Sequence, residues 1–152
     1  MRRLTRIAAG VALGTGALAL SAHGQFSKPE SAIKYRQSVM FVQQVHMSRL
    51  GAMVNGRVPF DQAAAEQNAL MVEQMSRLPW SAFGPGTDKG KTNALPDVWK
   101  DRAGFDRYAQ QLQEATVKLA VAVKSGGATA TKGPFDDVVK LCDRCHDEYR
   151  KD

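Results

Sequence analysis

The sequence predicts an all-α protein, an antiparallel up-down-up-down four-helix bundle, on three observations. Apolar residues recur at sevens in two long segments: Ile33, Met40, Met47 and Val54 in one, Phe105, Leu112 and Leu119 in the other. No run of useful length alternates apolar and polar residues as a half-buried strand does. A long stretch rich in Pro and Gly, from Leu78 to Pro96, divides the helical segments into two pairs.

Residues 1–24 read as a secretory signal. Arg2, Arg3 and Arg6 precede an apolar run from Ile7 to Leu20, and Ala22-His23-Gly24 offers a small-residue cleavage site. The run is shorter than the ~20 residues that span a bilayer. The expected mature domain is therefore 25–152, exported, with no membrane association after cleavage. Losing three arginines lowers the formal charge from +6 to +3. That balance, without a long Lys/Arg block, excludes a nucleic-acid partner.

The first helix is expected from about Pro29 to Asn55. Pro29 suits a first turn, Glu30 favours its positive end, and Gly56 provides the stop. Arg36, Gln37, Gln43 and Gln44 lie beside its apolar seam, so this face packs on something partly polar. The second helix is expected from Asp61, as N-cap, to Leu78, with Ala65, Leu70, Met71, Val72 and Met75 on its apolar side; Leu70 is one step off the row. In the long stretch that follows, Trp80 and Phe83 are apolar anchors that pack down onto whatever the stretch covers. The third helix is expected from Asp97, as cap, to Lys124, ended by Ser125-Gly126-Gly127. A small polar linker then leads to a fourth helix opening at Pro134. Asp101 and Glu114 read as members of solvated faces.

The chemistry lies in Cys142-Asp143-Arg144-Cys145-His146, a C-x-x-C-H sequence containing the only two cysteines. Two thiols at this spacing can each add to one haem vinyl group, and the histidine is then held beneath the porphyrin where a ring nitrogen reaches iron. A thioredoxin-like redox pair is an alternative, but it wants a βαβ context. Half a zinc site is another, though only His46 remains to complete four N or S ligands. A local disulfide is the third. For a second iron ligand the residues alone leave His46, Met40, Met47, Met53, Met71 and Met75; a methionine in a helical stripe is usually a core filler.

With these residues in view the chain resembles the cytochrome c′ (class II cytochrome c) family over essentially the whole of 25–150. The matching pieces are Lys28-Pro29-Glu30, Lys34-Tyr35-Arg36-Gln37-Ser38, Leu78-Pro79-Trp80, Phe83-Gly84-Pro85-Gly86-Thr87, Pro96-Asp97-Val98-Trp99, and the late haem motif followed by Tyr149-Arg150. The resemblance implies one covalent haem c per chain inside the bundle, with His146 as proximal ligand. It implies that Arg36 and Gln37 lie near the haem and its propionates, that Trp80 and Thr87 run past the haem edge, and that Arg150 lies close to His146. Members are typically periplasmic and often homodimeric. In five-coordinate members a bulky apolar residue of the first helix covers the distal iron face; that position here is Met40, where low-spin relatives place a ligating methionine.

The first functional expectation is accordingly electron transfer with redox partner proteins, through iron held by His146 and Met40. A thioether ligand stabilises the ferrous state. The alternative is a five-coordinate binder of nitric oxide or carbon monoxide, with Met40 as a steric gate. An enzyme is not expected, since no Ser/His/Asp set, P-loop or dinucleotide fingerprint is present.

Overall fold

The computed structural model describes residues 25–151, and the signal-peptide reading of residues 1–24 lies outside them. Helix α1 spans Pro29–Val54 and carries Glu30 in its first turn. Its end falls where the sequence puts it. The N–H groups of Gly56 and Arg57 turn back to the carbonyls of Met53 and Ala52 at 3.1 and 2.9 Å. Ile33, Leu50 and Val54 are buried along one face, with Met40 and Met47 half-buried between them.

Helix α2 spans Gln62–Met75, and Asp61 caps it by accepting the Ala64 N–H at 2.9 Å. It ends short of Leu78. Pro79 disfavours helical backbone at the residue before it, and a single 3-10 turn, Trp80–Ala82, follows. Ala65, Ala69 and Val72 face the core, whereas Leu70 is exposed.

The expected third and fourth helices need two corrections. Asp97–Lys100 is only one turn, α3, and the long helix α4 begins at Arg102. Between them Asp101 leaves helical geometry (φ −108°, ψ 60°), and its carboxylate accepts the Gly104 N–H at 3.0 Å. Asp101, not Asp97, is the working cap. The second correction concerns Pro134. Helix α4 runs Arg102–Tyr149 in two arms that meet at Gly126 and Gly127, and Pro134 lies inside the second arm instead of opening it. Gly127 holds φ 65°, ψ −160°, a region open essentially to glycine alone, so the chain reverses at once. Thr131 donates its hydroxyl to the Gly127 carbonyl at 2.7 Å and starts the returning arm, leaving no separate linker to residue 133.

Helices α1 and α2 and the two arms of α4 form the antiparallel four-helix bundle, with no strand among the described residues. Its apolar interior falls into two clusters. The larger joins Leu50, Met53, Ala65, Ala69, Leu112, Leu119, Val123, Phe135 and Val138, with Met47, Trp80 and Cys142 against it. The smaller is built from Phe83, Val98, Phe105 and Tyr149, with Met40, Trp80, Trp99 and Cys145 against it. Trp80 touches both. The long stretch is tied to the C-terminal end: Leu95 N–H donates to the Tyr149 carbonyl and Lys151 N–H to the Asn93 carbonyl, each at 2.9 Å. No helix among the described residues is long and apolar enough to cross a membrane.

Candidate haem site

The cysteines and histidine of the motif lie on the last turns of α4, all three half-buried. Helical spacing places Cys142 against the larger cluster and Cys145 against the smaller, so the pair straddles the division between them. Both thiols are free. Burial pushes Cys142 up to about 11, helped by the Asp143 charge, and Cys145 up to about 12, helped by its neighbour Cys142. Each is a protonated thiol at neutral pH. Burial, and then the positive charge of Arg150, lower the His146 pKa and keep its imidazole neutral, as an axial ligand must be. The Arg150 guanidinium lies 3.4 Å from His146 Nδ1. Among the described residues no three His, Cys, Asp or Glu side chains gather as a metal cluster.

Arg36 organises the other side. It is 2 % exposed and donates to the Ala82 carbonyl (2.9 Å), the Thr87 hydroxyl (2.9 Å), the Thr87 carbonyl (2.8 Å) and the Thr92 hydroxyl (2.7 Å). Its guanidinium carbon sits 4.2 Å from the centroid of the Phe83 ring. Burial lowers its pKa to about 10, so it stays charged at neutral pH, and no carboxylate pairs with it among the described residues. Thr87 is the buried hinge of this arrangement, its hydroxyl also donating to the Gly84 carbonyl at 2.8 Å. Gln37 is exposed and donates its amide to the Lys91 carbonyl at 3.0 Å, holding the loop. Trp80 donates to the Ser76 carbonyl at 2.6 Å and meets Phe105 edge-on at 5.6 Å between centroids.

Met40 extends from α1 onto the smaller cluster, the same cluster that Cys145 touches. His46 is spoken for by a structural bond: its Nδ1 lies 2.8 Å from Asn68 Oδ1. Of the residues the sequence singled out, Trp80 packs on both clusters, Cys142 on the larger, and Met40 and Cys145 on the smaller, while Arg36 lies over Phe83 and holds Thr87, and Arg150 approaches His146.

The family model described as Cytochrome C' matches residues 31–150. The chain belongs to the cytochrome c′ family. A cytochrome c' from Alcaligenes xylosoxydans xylosoxydans is 42% identical over 127 residues, covering 84% of this chain and 98% of that protein. The crystal structure of cytochrome c' from Rubrivivax gelatinosus superposes with TM-score 0.80 at 42% identity, over 84% of this chain and 100% of the other. A nitric oxide complex of a leucine-to-isoleucine variant of cytochrome c prime from Alcaligenes xylosoxidans superposes with TM-score 0.79 at 41% identity, over 84% and 100% of the two chains. A carbon monoxide-bound leucine-to-glycine variant of the same protein gives the same values.

Haem c is the cofactor of a cytochrome c′, and the residues present fit it. The chain's two thiols are free, protonated and followed by a neutral imidazole. The buried Arg36 guanidinium has no carboxylate partner among the described residues, and a propionate would supply one. Sequence reasoning missed the role of Asp101. Its carboxylate accepts the Tyr149 hydroxyl at 2.8 Å and ties the start of α4 to the turn just beyond His146. The two residues are 48 apart in sequence, and nothing local signals the pairing.

Proposed function

We propose that this chain is a periplasmic, non-enzymatic haem protein that binds nitric oxide or carbon monoxide at a five-coordinate iron. The observation that carries the reading is its 41% identity and shared fold with a protein of which one variant was solved with nitric oxide bound and another with carbon monoxide. When bound, haem c supplies an iron that accepts electrons and small ligands. Cys142 and Cys145 would hold the group through thioethers. His146 would ligate the iron, and the Arg150 charge favours its neutral form. Arg36 braces the loop with its four terminal N–H groups and would offer a propionate only its Nε–H and its charge, and Trp80 would wall the edge.

Met40 is the residue on which the two functional expectations divide. In this reading its flexible side chain covers the facing side as a gate that a ligand has to displace. The second reading, electron transfer to redox partner proteins through Met40-ligated iron, is favoured by the thioether itself, standing on the inner seam of α1. The absorption spectra of ferric and ferrous protein, with and without carbon monoxide, separate them. The proposal expects high-spin iron and a prompt change with the gas. A low-spin spectrum with a sulfur-to-iron charge-transfer band and no gas binding would establish electron transfer instead. A Met40→Ala variant is expected to bind carbon monoxide at least about tenfold faster, because distal crowding controls access. The family expectation of a homodimer is tested by sedimentation.

A further inference from the structure

Gln43 is a buried side chain with an unspent donor. It is 6 % exposed, and its Nε2 has no hydrogen-bond partner. Leaving a buried amide unpaired costs stability, and an apolar side chain of the same length would avoid that cost. The other polar groups of this interior are committed. Arg36 holds the loop, Asn68 donates to the Ala64 carbonyl and meets His46, and Trp80 donates to Ser76.

Its place in the fold gives the amide a use. At about 100° per residue, position 43 lies roughly 20° from Arg36, 40° from Met47 and 60° from Met40 around α1. It stands one turn from each methionine. Met40 packs on the cluster that Cys145 touches, and Met47 on the cluster that Cys142 touches. Gln43 therefore faces the division that the two haem-binding cysteines straddle, from the helix opposite His146. Rotating the amide by half a turn exchanges its two ends, so an N–H can be presented there in either setting.

We propose that Gln43 is a hydrogen-bond donor to a diatomic ligand bound on the haem face turned toward α1. The inference rests on a haem seated at Cys142 and Cys145. It deepens the gas-binding reading by adding a polar contact to a gate otherwise made of Met40 and aromatic rings. A donor aimed at the ligand draws electron density from iron into the ligand, weakening its internal bond and slowing its escape.

The test uses the haem-loaded protein and carbon monoxide. The spin state of the unmodified protein judges the open-iron reading by itself. Gln43 is judged in a Met40→Ala background, where the iron is open whichever role Met40 has. The comparison is Met40→Ala against Met40→Ala with Gln43→Met, which keeps the side-chain length and removes the amide. Removing the donor should raise the infrared C–O stretching frequency and speed dissociation about five- to tenfold, the worth of one hydrogen bond. Gln43→Leu in the same background guards against a packing artefact and should agree. The unfolding midpoint should hold or rise, since a buried unpaired amide is gone. An unchanged or lowered C–O frequency, or an unchanged dissociation rate, overturns the proposal.

Discussion

Arg36 is a single side chain that does the work of an element. Four of its N–H contacts fix a loop that has almost no regular structure of its own. Arg36→Met is expected to lower stability by about 3 kcal/mol, because it strands the buried carbonyls of Ala82 and Thr87. Arg36→Lys should restore less than half, since an ammonium lacks the planar fork. Urea unfolding of the haem-loaded protein measures both; a loss below about 1 kcal/mol for Arg36→Met would show that the loop is held by its apolar anchors. The Asp101–Tyr149 bond makes a second prediction at this scale, in pH. The Tyr149 hydroxyl, and then the Gly104 N–H, hold the Asp101 pKa below its ordinary value. A depressed carboxylate contributes stability above its ordinary pKa of about 3.9 and loses it as pH falls through the lowered value. Burial, and then the bond to Asp101, raise the Tyr149 pKa, so its contribution is present below about pH 10 and lost above. Asp101→Asn should flatten the acid limb of the unfolding midpoint against pH. Tyr149→Phe should flatten the alkaline limb as well as weaken the acid one. Unchanged limbs would mean that the bond does not report on folding.

At the scale of elements, what was legible depended on whether the deciding contact was local. Helices α1 and α2 announced themselves, because Pro29, Gly56 and Asp61 act on their own turns. The start of α4 did not. Asp97 and Asp101 both suit a cap, and the choice is made by Tyr149 from the far end of the helix. Gly126-Gly127 marked the break correctly, but Pro134 imitates a helix opening and hid the fact that the returning arm begins at the glycines. The haem motif was readable because its parts are adjacent, and the grip of Arg36 on residues 82–92 was not, because it is long-range. Gly51 belongs to the same unreadable class. A Cβ there would lie 2.7 Å from Phe135 Cζ, so α1 and the second arm of α4 meet at a glycine. Gly51→Ala is expected to destabilise by about 1–3 kcal/mol through overpacking, despite its better helix propensity. Adding Phe135→Leu should recover part of the loss, giving a non-additive double-mutant cycle. Simple additivity would place the strain elsewhere.

For the whole molecule, the division of the core predicts how the chain behaves without its prosthetic group. The larger cluster draws on α1, α2 and both arms of α4 and has ten buried members. The smaller has four buried members, and three of them are aromatic: Phe83, Phe105 and Tyr149. Met40, Trp80, Trp99 and Cys145 pack against it, and a haem held by Cys145 would lie beside it. A group that binds only the folded state stabilises the parts it touches. Replacing both Cys142 and Cys145 by Ala should therefore leave a helical chain with a lower unfolding midpoint, and the loss should be uneven. Amide exchange in 50–54, 65–72 and 112–123 should stay slow, because those segments pack in the larger cluster. Exchange in 80–98 should rise more, because that segment has little regular structure and packs on the smaller cluster, which a haem held by Cys145 would adjoin. Hydrogen exchange read by mass spectrometry distinguishes this from a single cooperative loss. Protection falling equally in both regions would mean that the two clusters fold as one unit, and that the haem stabilises the bundle as a whole.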